Sequence, residues 1–244
     1  MIDFFNMDSL QKKKVLGNID IQTIVILSAM FVVAMMFWHS YLIYPIKVFV
    51  VILHEFSHGL AAVLTGGSIV KIEISQQVGG VCYTRGGARF IVASAGYLGS
   101  IFWGGLILII AARTKYDNIM GMIIGGFLIL LSALYIRNLF GLLFTAGFGV
   151  VLAIVSYMAK NVVIDISMKF LGMTSCLYVI IDIKSDLIDR TGIGSDADTI
   201  ARLLGSQSLS VPIGIVWILI AILAFGVFLW IAGRGETETT KVNF

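Results

Sequence analysis

Apolar residues gather into seven runs, at about 21–38, 46–64, 90–112, 118–136, 139–159, 162–183 and 211–232. Each is close to the ~20 residues a helix needs to cross ~30 Å of hydrocarbon. The pattern predicts an α-helical polytopic membrane protein with about seven transmembrane helices. The fifth run, which follows Arg137-Asn138, is Gly-rich, and the sixth carries Asp165 and Lys169 one turn apart, spaced to pair on a helix face. Two segments break the pattern. Residues 66–89, GGSIVKIEISQQVGGVCYTRGGAR, alternate over IVKIEIS and carry paired glycines. That predicts a small membrane-associated β segment of short strands and turns. Residues 184–210 are polar; they continue the sixth helix and then predict a short helix opened by a Ser195 or Asp196 cap. A polar start (1–20) and a tail expected to be flexible (233–244) frame a single integral membrane domain over 1–244.

Composition agrees with lipid as the solvent. The chain is 59% hydrophobic and 13% charged, against roughly 25% charge in soluble domains, and its mean hydropathy is +0.99. The net charge of +3 is scattered, with no basic patch interleaved with aromatics, so nothing points to nucleic acid. Cys82 and Cys176 have no CxxC spacing and read as free thiols. The first apolar run is too long for a signal peptide and has no A-x-A-like site after it, so it reads as a retained span. Lys12, Lys13 and Lys14 favour a cytoplasmic N-terminus. An alternating count of seven spans then puts the 66–89 and 184–210 segments on that same side.

The chemistry lies in Leu53–Gly59, LHEFSHG, inside one of the most apolar runs. On a helix, His54 and His58 project from one face, about 6 Å apart, a spacing that suits two ligands of one Zn²⁺. Glu55 points sideways and can reach a metal-activated water as general base without ligating. The chain has three histidines, two of them in this motif. Ionisable groups at membrane depth cost a few kcal/mol each unless they are paired or ligating. His39, beside Trp38 in FWHSYLIYP, reads as an interfacial anchor. A catalytic zinc takes a third protein ligand. The acidic candidates in or bordering apolar helices are Asp165, Asp182, Asp186 and Asp189. Lys169 accounts for Asp165, and Asp189 can pair with a neighbouring cation. Asp182, at the end of the sixth run in CLYVIIDIKSDLI, is the first choice, and Asp186, one turn on, the alternative.

These strings together resemble the site-2 protease group of intramembrane zinc metalloproteases, and most closely its compact M50B-like branch. The resemblance runs through YPIKVFVVILHEFSHGLAAVLTGG, VGGVCYTRGG, SAGYLGSIFWG, LYVIIDIKSDLI and SDADTIA. It implies a zinc metalloendopeptidase that hydrolyses membrane-spanning protein substrates within the bilayer. His54 and His58 would be zinc ligands, Glu55 the general base, and an aspartate of the DIKSD string the third ligand. The N-x-x-P-x-x-x-L-D-G string of better-studied members is absent, as is any PDZ-like domain.

Gly96, Gly99, Gly104 and Gly105 would let helices pack closely around a wet site. The 66–89 strands could offer an edge to an unwound substrate, and Asn138 is either a further substrate contact or an ordinary helix-end residue. A different class also fits a metal motif: a non-proteolytic metal-binding membrane protein, whether transporter, scaffold or pseudoenzyme. Glu55 separates the two, because a site that only binds metal needs no base beside its ligands.

Overall fold

A computed structural model describes residues 20–185 and 194–234. Its elements are α1 (Ile21–Met36), α2 (Tyr44–Leu64), β1 (Ser68–Ser75), β2 (Gly79–Arg85), α3 (Arg89–Arg113) and α4 (Asp117–Tyr135), followed by α5 (Leu139–Met158), α6 (Asn161–Lys184), α7 (Asp196–Leu203) and α8 (Ser210–Ala232). Every predicted apolar run is a helix. Six of them, α2 to α6 and the stretch Gln207–Ala232 that contains α8, are long and apolar enough to cross a membrane; α1 is shorter, at 16 residues. The protein is an integral, multi-pass membrane protein. Its most apolar stretch is also its least enclosed, with 22% of the α8 window buried against 67% for α2. Lipid therefore covers α8, while α2 is surrounded by protein.

Two close helix contacts set the frame, and both depend on missing side chains. A Cβ on Gly172 of α6 would lie 2.6 Å from the backbone nitrogen of Leu108 in α3, and one on Gly125 of α4 would lie 2.6 Å from the Gly149 carbonyl of α5. With no hydrophobic drive between helices in lipid, such backbone approach is how they gain dispersion contacts.

The β segment is an antiparallel hairpin folded back along α2. It pairs Ser68 with Arg85 and Ser75 with Gly79, with one bulge between Ile69 and Lys71. The Tyr44 hydroxyl at the start of α2 donates to the Gln76 carbonyl in the hairpin turn. Near the other end, the Ile69 side chain fills the space beside Gly59. Backbone groups at membrane depth must be satisfied by protein, and the outer edge of β1 is. The Ile72 carbonyl accepts from Arg137 N–H, and the Asn138 amide both accepts from Ile74 N–H and donates to Ile74 C=O. Asn138 thus seals a strand edge from the α4–α5 connection.

One expectation is corrected. Seven alternating crossings would place the start of α1 and the end of α8 on opposite sides. Instead Asp20 N–H donates to the Gly233 carbonyl at 2.7 Å, and Arg113 at the end of α3 reaches Arg234. The start of α1 and the ends of α3 and α8 meet, so the seven apolar helices do not each make a single crossing. Of the seven, α1 is the shortest and rises only about 24 Å at 1.5 Å per residue, less than the ~30 Å of hydrocarbon. The predicted flexible tail from residue 235, like the polar start before residue 20, lies outside the described residues.

Candidate metal centre

The first two donors are fixed by α2 alone. Pro45 opens the helix, where its missing N–H costs nothing. One turn separates His54 from His58, and their ring centroids stand 4.7 Å apart. Nδ1–H of His58 donates to the Val92 carbonyl of α3 at 2.6 Å, which leaves its Nε2 as the free donor atom. That Nε2 stands 3.0 Å from Nε2 of His54.

The third donor comes from α7. Oδ2 of Asp196 lies 3.1 Å from His54 Nε2 and 3.2 Å from His58 Nε2. Apart from the imidazoles, this buried oxygen has no hydrogen-bond partner. Three ligand atoms therefore form a nearly equilateral triangle. Donors ~2.0 Å from a tetrahedral zinc stand about 3.3 Å apart, so the triangle matches one face of such a site to within a few tenths of an ångström. Two imidazoles and a carboxylate also match the donor chemistry of catalytic zinc. Among the described residues, this is the group of three able to hold a metal. Burial of Asp196 opposes its ionisation, but the facing imidazoles outweigh this and hold the carboxyl well below the ordinary carboxylate range.

The sequence pointed to Asp182 or Asp186 for this place; among the described residues, the carboxylate that stands beside both histidines is that of Asp196. Asp182 lines the same cavity, but its carboxylate accepts a hydrogen bond from Tyr178, one turn back on α6, at 3.1 Å. Asp186 and Asp189 lie outside the described residues. The sequence did mark Asp196, though only as a cap beside Ser195. The structure gives the cap to Ser195, whose hydroxyl accepts from Asp198 N–H, and this frees the Asp196 carboxylate for the histidines.

Two glycines leave room for the motif. A Cβ on Gly96 of α3 would sit 2.4 Å from His54 Nε2 and 2.5 Å from His58 Nε2, inside the donor cluster. A Cβ on Gly80 of β2 would sit 2.6 Å from Glu55 Cγ. Space at the site, as well as helix packing, thus accounts for Gly96. By contrast, Gly104 meets Ser175 and Cys176 on α6, which is packing alone.

Glu55 is buried, with its carboxylate beside Gly80 of β2. It belongs to a cavity of about 470 Å³ that also takes in the histidines, Asp196, Arg89 and residues Gly79 to Cys82 of β2. This is ordinary size for a ligand cleft. The remaining sequence candidates sit elsewhere. Asp165 pairs with Lys169, His39 is exposed, and Cys82 and Cys176 are free thiols.

A family model described as Peptidase M50B-like matches residues 27–232, which spans every element above except the first turns of α1. No curated protein and no solved structure matches the chain.

Proposed function

Because the chain belongs to the Peptidase M50B-like family, we propose that it is an intramembrane zinc metalloprotease acting on membrane-spanning protein substrates. One observation carries the reading: His54, His58 and Asp196 converge on one point beside a buried glutamate, in a cavity large enough for a peptide segment. These three residues would hold the zinc. When bound, zinc supplies a Lewis acid and brings a water pKa towards ~7. Glu55 takes the proton of the attacking water and returns it to the leaving amine. The absence of a side chain on Gly80 leaves room for the Glu55 carboxylate beside β2. Val92 fixes the His58 ring and its tautomer.

A transmembrane substrate must unwind to expose a carbonyl. The hairpin supports a role in holding it. The outer edge of β1 is occupied by residues 136–138, whereas β2 runs along the cavity. Alternate residues of a strand point their backbone groups the same way. Ile72 turns its carbonyl outward to Arg137, so its partner Cys82, with Gly80 and Thr84, turns its backbone away from β1 and offers an edge for strand addition.

Zinc stoichiometry and cleavage of a panel of single-span substrates, measured together, test the proposal. Wild type should hold zinc and cleave. Glu55→Gln should hold zinc and not cleave. His54→Ala and Asp196→Ala should lose both, while Asp182→Ala keeps its zinc. Stoichiometric zinc in wild type with no cleavage of any substrate would favour the non-proteolytic alternative.

A further inference from the structure

Asp196 is the first residue of an eight-residue helix, and α7 is flanked by Gly194 and Gly205, both at positive φ (+91° and +83°). Isolated helices of this length do not hold themselves, and the first turn frays most readily. Ala197, Ile200 and Ala201 are buried and hold the underside of α7. They do not fix the two residues that lead into Asp196. A second carboxylate does, and nothing in the reaction uses it.

We infer that Asp198 is a positioning residue, whose buried carboxylate holds Asp196 in reach of His54 and His58 by tying the entry of α7 to the start of α8. This rests on the metal-site reading above. Asp198 is 6% exposed, and both its oxygens are engaged. Oδ2 accepts from Gly194 N–H and Ser195 N–H, each at 3.2 Å. Oδ1 accepts from the Gln207 side-chain amide at 3.0 Å and from the Ser210 hydroxyl. The Ser195 hydroxyl accepts from Asp198 N–H at 3.2 Å and completes a reciprocal capping box. The backbone of residues 194–195 and the first residues of the α8 segment thus meet on one side chain, two positions from the ligand. Groups hydrogen-bonded directly to a metal ligand are typically worth ~10–100-fold in metal affinity, and Asp198 acts on the backbone that carries the ligand.

The experiment compares wild type, Asp198→Ala and Asp198→Asn in full-length protein in detergent. The readouts are zinc affinity by chelator competition, the visible spectrum of the Co²⁺-loaded form, and the unfolding midpoint of the metal-free form. Asp198→Asn keeps an acceptor for Gly194 and Ser195 and can donate to Ser210 and to a flipped Gln207, so it should bind within about threefold of wild type. Asp198→Ala should bind ~10–100-fold more weakly and lose the intense tetrahedral Co²⁺ bands, with a metal-free midpoint close to wild type. If Asp198→Ala does not fold, Ser210→Ala combined with Gln207→Ala takes its place, because it cuts only the tie to α8. Wild-type affinity in the alanine variant, or in the double variant, overturns the inference. An asparagine variant as weak as alanine overturns it too. Wild type that binds neither metal overturns the metal site itself, which a weakened Asp198→Ala beside a tight wild type does not.

Discussion

Gly96 is where a single methyl group decides the site. An alanine inside a helix ordinarily gains up to ~1 kcal/mol over glycine. At position 96 its Cβ would stand 2.4–2.5 Å from both metal-facing nitrogens. Gly96→Ala should therefore leave the helix intact and lower zinc affinity more than tenfold, as read by chelator competition; wild-type affinity would contradict the geometry. Cys82 offers a second probe. Burial and, after it, the charge of Glu55 push its thiol up to about 12. Little thiolate exists at pH 8, so iodoacetamide should label Cys82 at least ~100-fold more slowly than an exposed thiol with pKa ~8.5. Glu55→Gln, which removes the nearby charge, should speed labelling. At this scale the sequence was informative where chemistry is local. His54, Glu55 and His58 share one turn, and their spacing alone states their relation. Asp196 is 138 residues beyond His58 and meets it only through tertiary packing, which no periodicity reports. Its neighbours signalled a helix start, and the capping role went to Ser195.

The elements were legible almost to the residue because lipid imposes strong rules. An apolar run must be a helix, and an alternating run with paired glycines must satisfy its backbone in a sheet. The hidden part was which edge of the hairpin is covered. Asn138 closes one edge from 64 residues away, and only the structure shows it. If β2 receives the substrate, removing one outward N–H from it should impair cleavage and spare the metal. Thr84→Pro does this at the far end from Glu55. Its expected phenotype is a KM raised several-fold or cleavage lost, with zinc stoichiometry unchanged and the protein monodisperse. Unchanged kinetics in such a variant would sink the strand-addition reading. The hairpin turn carries a further mark: Val78, a β-branched residue lining the cavity, has φ +60°. That conformation costs of order 1–3 kcal/mol and persists only where the surroundings enforce it.

For the whole molecule, metal and fold should be coupled, because the three candidate ligands come from two elements far apart in the chain. A ligand that binds only the folded state stabilises it by about 2.7 kcal/mol at a hundredfold excess over Kd. Chelation should thus lower the unfolding midpoint by several degrees, and zinc should restore it. Asp196→Ala should start at the lower midpoint and respond to neither; an equal response in that variant would remove it from the ligand set. The tie between Asp198 and Ser210 also has a consequence for biosynthesis. A chain emerges from the ribosome N-terminus first, so His54, Glu55 and His58 enter the membrane while the start of α8 is still unmade. Until Ser210 arrives, nothing on the α8 side anchors the entry of α7, which carries the candidate third ligand. If that tie is what holds Asp196 beside the histidines, the nascent protein should bind no metal until α8 has been inserted. A ribosome-stalled chain ending before Ser210 should reach the bilayer yet retain no zinc, whereas one released after α8 should retain it.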